Sequence, residues 1–171
     1  MHTSFVEVRG SALLKAPLRI EGEYQRPDAD TLVREVRAPY VETTTIRAGE
    51  VAIARGNKSP RKFSLSRAPE LQGLQASFGA MLSGDRAALE RHYTIDATGT
   101  RQQWTLRMVP RDKAFAAKVR EIALHGRGAE LHCIETRPVK GDLQRTLLAG
   151  AARGAAGVND AAALAALCRA Q

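Results

Sequence analysis

The chain has 171 residues, with 26 Lys and Arg against 18 Asp and Glu and a formal net charge of +8 at pH 7; this length suits one domain that buries a core without covalent staples. Hydrophobic residues make up 44% of the chain but aromatics only 5%, so Leu, Ile, Val and Ala must line any interior, which suits acyl chains better than stacked bases. The positive balance favours contact with something acidic, or simply a solubilising surface, but the arginines are dispersed with no basic block, which argues against a nucleic-acid partner.

After an apolar-x-acidic start at Phe5-Val6-Glu7, the stretch from Leu18 to Arg55 holds four β-patterned runs. Leu18, Ile20, Gly22 and Tyr24 alternate with Arg19, Glu21, Glu23 and Gln25, the period that gives one face to an apolar interior. The run Leu32 to Arg37 is less cleanly sided, since both faces carry an aliphatic residue and a charge, and Ala38-Pro39 stops it because proline lacks the ladder N–H. Val41 to Arg47 and Glu50 to Arg55 follow, joined over Ala48-Gly49 as a hairpin. The pattern is half of a curved antiparallel sheet, with no sign of a crossover helix.

A turn at Gly56 to Pro60 and a short strand, Arg61 to Leu65, precede a change of period. From Pro69, Leu71, Leu74, Phe78, Met81 and Leu82 fall at helical spacing with one apolar stripe. Gly73 and Gly79 inside it each cost about 1 kcal/mol relative to alanine, so this helix depends on what it packs against; from pattern alone it reads as a plain core helix. Gly84-Asp85 reads as a stop and a new N-cap, followed by a short helix from Arg86 to Arg91.

Strands resume at His92 to Ala97, turn at Thr98-Gly99, and continue through Gln103 to Val109, where Trp104, Leu106 and Met108 share a face. Asp112 to Ala117 suits one helical turn; Lys118 to His125, Glu130 to Thr136 and Leu143 to Leu148 complete a set of about ten strands with one helical insertion, as in a sheet that curls on itself. Residues 149–157 are Ala/Gly-rich and expected to be mobile, and Asn159 or Asp160 caps a short helix through Arg169 that must dock or fray. Gly150, Gly154 and Gly157 follow no βαβ pattern, so no dinucleotide fingerprint is present.

Chemistry is sparse. No G-x-S-x-G, H-E-x-x-H or Walker pattern occurs. His125, His132 and Cys133 lack paired metal-ligand spacing, and Glu135 and Asp142 read as solvated or salt-bridged turn carboxylates. The expectation is therefore no enzyme, no metal and no cofactor. Cys133 and Cys168 could bridge in an oxidising compartment, tying the tail to a late strand, but the default reading is two buried free thiols.

The order of Phe5-Val6-Glu7, Pro17-Leu18 through Gly22 to Arg26-Pro27, the strand ending at Pro39, the Gly-punctuated hairpin, Trp104 to Pro110, Ile122 to Gly128 and the pair Glu135 and Asp142 resembles LolA and its relatives, the periplasmic lipoprotein carriers, over residues 4–148. The resemblance implies a mainly β fold with α, a curved antiparallel half-barrel with a helical lid over 69–83, spanning 1–148 and followed by the 149–171 tail. It implies a carrier that binds acyl chains of a lipoprotein or another amphiphilic lipid, takes them from an inner-membrane donor complex and passes them toward an outer-membrane acceptor, as a monomer in the periplasm. The alternative is a lipid-sensing or adaptor domain on the same half-barrel.

By this likeness the pocket is formed by Ile20, Tyr24, Leu32, Val36, Trp104 and Leu106 on the sheet and by Leu71, Leu74, Phe78 and Met81 on the lid. Arg26 would latch that lid; the competing reading of Arg26 is an edge arginine paired with Asp28 or Asp30. No signal peptide opens the sequence, so the resemblance implies a mature form. The usual amphipathic helix before the first strand is absent, and the Ala/Gly tail is atypical.

Overall fold

The computed structural model describes residues 1–10, 16–68, 80 and 85–169, and in it eleven strands form one curved antiparallel sheet. The first half of the chain supplies β1 (His2–Arg9), β2 (Leu18–Gln25), β3 (Thr31–Ala38), β4 (Glu42–Arg47), β5 (Glu50–Arg55) and β6 (Arg61–Ser64). The second half supplies β7 (Tyr93–Thr100), β8 (Gln103–Pro110), β9 (Val119–Arg127), β10 (Glu130–Pro138) and β11 (Gln144–Leu148). The order β6-β5-β4-β3-β2-β1-β11-β10-β9-β8-β7 is two meanders joined where the first and last strands pair, with Phe5 opposite Leu148.

Side-chain alternation divides this sheet into two buried faces. Phe5, Ile20, Tyr24, Val36, Ile46, Val51, Met108, Leu124 and Leu148 form one cluster on the inner face, drawn from both meanders. Val6, Cys133 and Leu147, one residue out of phase with Phe5, Ile134 and Leu148, belong to a second cluster on the outer face. The middle strands are thus covered on both sides, and adjacent apolar pairs such as Phe5-Val6 and Leu147-Leu148 follow from that. The aromatic ring of Phe5 lies over Gly22, where a Cβ would stand 2.9 Å from the ring and 1.9 Å from the Glu35 carbonyl oxygen.

The outer cover is the tail. The Ala/Gly run expected to be mobile instead forms α3 (Ala149–Gly154) before α4 (Ala161–Cys168), labelled after α1 (Arg86–His92) and α2 (Lys113–Ala116). Ala151, Ala152 and Ala155 are small enough to lie flush on Val6 and Leu147, and Leu164 adds to the same cluster. The guanidinium of Arg19 donates to the Ala155 and Val158 carbonyls, each at 2.7 Å, and Asp160 caps α4 by accepting the Ala163 N–H at 2.7 Å. Cys133 and Cys168 form a disulfide with Cα atoms 5.0 Å apart, which overturns the free-thiol reading.

Other differences are of register. The strand β7 runs through Gly99 to Thr100 and turns at 101–102, because Gly99 takes a φ of 97° and pairs with Trp104. The next hairpin turns after Arg127, with Gly128 at a φ of 58°. Asp85 and Asp112 cap α1 and α2, each accepting an N–H three residues on. The helix expected over Pro69–Ser83 lies outside the described residues except for Ala80, which is buried in the inner cluster.

Candidate functional site

The inner face encloses a cavity of about 290 Å³, near the lower end of the range of about 300–1,000 Å³ usual for small-molecule sites. One wall is apolar: Leu32 of β3, Ile46 of β4, Ile53 of β5, Ile122 of β9, Ile134 of β10, and Phe115, which α2 sets against them. The opposite lining is polar, with Glu7, Arg9, Arg34, Glu42, Thr44, Thr136, Gln144 and Thr146. Register brings these together: Arg34 stands between Tyr24 and Thr44, Glu7 faces Thr146, and Arg9 faces Gln144, which in turn faces Thr136.

Glu7 accepts from Arg34 at 2.9 Å and from Arg9, and Arg34 also lies 4.8 Å from the centroid of the Phe5 ring, a cation–π contact. Burial works against the charge on Arg34, but Tyr24 and Glu7 outweigh it and hold the guanidinium above its ordinary pKa. Burial pushes the Tyr24 hydroxyl up to about 12, so it is neutral at physiological pH. Glu42 accepts from Arg55, whose pKa is raised by that bond.

A second basin of about 400 Å³ lies on the outer face beside the end of α4 and is polar throughout its centre. Its core is Glu135, buried on β10 rather than flanking a turn, with Oε1 3.1 Å from His125 Nε2 and 3.3 Å from Arg169 Nε, and Oε2 3.6 Å from Arg145 Nε. The His125 ring beside it outweighs burial and, with Arg145 and Arg169, lowers the carboxyl to about 2. Cys168 sulfur lies beside His125 and Glu135, but it is bonded to Cys133, so neither cysteine completes a metal site there. This cluster holds the tail to the sheet and is poorly suited to an acyl chain.

Of the residues singled out from sequence, Ile20, Tyr24, Leu32 and Val36 are buried in the inner cluster, Tyr24 and Leu32 lining the cavity, and Trp104 and Leu106 pack half-buried against that cluster. The indole N–H of Trp104 donates to the Gly128 carbonyl at 3.0 Å. Leu71, Leu74, Phe78 and Met81 lie outside the described residues. Arg26 sits past the end of β2, where its guanidinium donates to the carbonyls of Asp28 and Ala29 at 3.3 and 2.7 Å, bracing the turn that leads into β3. Asp28 accepts instead from the Thr31 hydroxyl and the Asp30 N–H, which lower its pKa.

Glu7, Arg9, Arg34 and Glu42 escaped the sequence reading of the site. Their signal was phase: Glu7 and Arg9 share parity with Phe5, and Arg34 falls between Leu32 and Val36, so strict alternation sends all of them inward.

The chain matches, over residues 1–171, the family described as outer membrane lipoprotein carrier protein LolA-like. No curated protein matches it. Among solved structures it is similar to a LolA superfamily protein, NE2245 from Nitrosomonas europaea, at 11% identity over 86% of this chain and 82% of that one, with a TM-score of 0.41. It is also similar to LprF from Mycobacterium bovis, at 13% identity over 87% and 84% of the two chains, with a TM-score of 0.36.

Proposed function

The chain belongs to the LolA-like family of outer membrane lipoprotein carrier proteins, and from that premise we propose that it is a periplasmic carrier that holds the acyl chains of a lipoprotein or related lipid in its inner cavity. The observation that carries this reading is the apolar wall of Leu32, Ile46, Ile53, Phe115, Ile122 and Ile134 in a sheet face that keeps an open volume. Burial is worth about 0.8 kcal/mol per methylene, so one long acyl chain gains on the order of 10 kcal/mol before the costs of ordering and opening. No bond is made or broken in this scheme. The protein takes up lipid from a donor at the inner membrane and releases it to an acceptor with a better apolar site at the outer membrane.

Arg26 acts in this proposal as the latch residue that a helix over 69–83 would meet, with Leu71, Leu74, Phe78 and Met81 closing the pocket above Ile20, Tyr24, Leu32, Val36, Trp104 and Leu106. Among the described residues no helix is long and apolar enough to cross a membrane.

Titration with an environment-sensitive fluorescent fatty acid, followed by displacement with unlabelled acyl lipid, tests the cavity. Saturable, displaceable binding that changes in Arg26→Ala is expected. Transfer of the probe to acceptor vesicles then separates a carrier from a sensor that only binds. Absence of binding by protein with an intact circular dichroism spectrum would mean that the sheet is filled by its own side chains and carries nothing.

A further inference from the structure

The inner cavity is more heavily charged than an acyl pocket requires. Two arginines and two carboxylates lie along its polar side: Arg9 and Arg34 donate to Glu7, while Glu42 accepts from Arg55, which stands outside the lining with its side chain 68% exposed. The side chains of Glu7 and Glu42 are only 7% and 8% exposed, and that of Arg34 only 13%. Charges withdrawn from water this far cost stability unless they are paired, and apolar residues of the same size would fill the wall at lower cost. Placed on an inward-facing row, they are available to a ligand that carries a charge of its own.

The charges also fail to cancel. With Glu42 matched by Arg55 from outside the lining, the Glu7 end keeps two guanidinium groups against one carboxylate, and the neutral Tyr24, Thr136, Gln144 and Thr146 do not offset the positive charge left over. The excess belongs to the Glu7 pair, where one carboxylate serves two arginines. Arg9, 44% exposed, is reachable from solvent, whereas Arg34 is fixed between Glu7 and the Phe5 ring. A guanidinium binds carboxylate or phosphate oxygens in a fork geometry with charge-assisted bonds.

We infer that the cavity selects an amphiphile with an anionic head, a carboxylate or phosphate, seated on Arg9 and Arg34 with its chain along Leu32, Ile46 and Ile122. The inference rests on the acyl-cavity reading and adds the chemical class of the head. A neutral head of the same chain length fills the apolar wall equally well but leaves the excess charge unmatched.

The test uses the full chain and a neutral-headed fluorescent acyl probe, displaced near neutral pH by dodecanoate, dodecyl phosphate or dodecanol, with inorganic phosphate as an arm without a chain. An anionic amphiphile is expected to displace the probe at concentrations about tenfold lower than dodecanol, while inorganic phosphate leaves it in place. In Arg34→Gln the preference should fall to about twofold or less. Because that substitution strands Glu7, Arg9→Gln at the exposed position provides the second variant, with melting curves to confirm folding. Equal displacement by all three amphiphiles overturns the head-group inference and leaves the acyl cavity standing. Displacement by none of them overturns both. Inorganic phosphate that competes as well as dodecyl phosphate marks a free-anion site and overturns the amphiphile.

Discussion

Position 22 tolerates no side chain, because an added Cβ would meet the Glu35 carbonyl at 1.9 Å and the Phe5 ring at 2.9 Å. Gly22→Ala should therefore cost about 3 kcal/mol or more, by overpacking at backbone that cannot yield; urea unfolding measures it, and an unchanged midpoint would show that β3 shifts without penalty. Glu135 gives a second test. Its carboxyl titrates at about 2 when folded against an ordinary value of 4.5, so its stabilising contribution is full above pH 4.5 and is lost as pH falls toward 2. The shift corresponds to about 3 kcal/mol, and Glu135→Gln should remove that part of the acid sensitivity. Urea midpoints for both proteins between pH 6 and 2 check it, and parallel curves would refute the assignment. Both residues were partly legible. Alternation sends Gly22 inward, but nothing local to the sequence says that Phe5 will lie over it. Glu135 was read as a turn carboxylate because its partners His125, Arg145 and Arg169 come from three other elements.

Strands were easier to read than the tail, and the reason is periodicity. Each strand carries a two-residue rhythm, whereas α3 is built of Ala, Gly and Arg and has no apolar stripe to detect. The same small side chains are what bring it close to Val6 and Leu147. Asp160 was visible as a cap, since the residue type and position suffice for that prediction. The disulfide was not, because two cysteines allow one pairing but do not say whether it forms. Cys133 and Cys168 are 35 residues apart in sequence, and a closed loop of that size should contribute about 4 kcal/mol. Reductant is expected to lower the denaturant midpoint of the native chain, and the double variant Cys133→Ser with Cys168→Ser should start lower and ignore reductant. A native midpoint unmoved by reductant would mean that α4 is held by Leu164 and the Glu135 cluster alone. Binding of an acyl probe should survive reduction, because the inner and outer clusters share no buried residue.

For the molecule as a whole, the mainly β class and the long antiparallel meander could be read from alternation, and the family likeness extended that to a half-barrel. The strand order could not. Its two meanders are local, but the bond between β1 and β11 joins opposite ends of the chain, and no pattern within either strand specifies that partner. The charged side of the cavity was hidden for the same reason, since Glu7 and Arg34 meet only after β1, β2 and β3 are in register. The seam between β1 and β11 also has a consequence in time. As the chain emerges from the ribosome, β1 presents one bare edge, with Phe5 and Val6 uncovered on its two faces, until almost the last residues are made. Neither half can finish its core before then, and pairing of such distant segments is intrinsically slow.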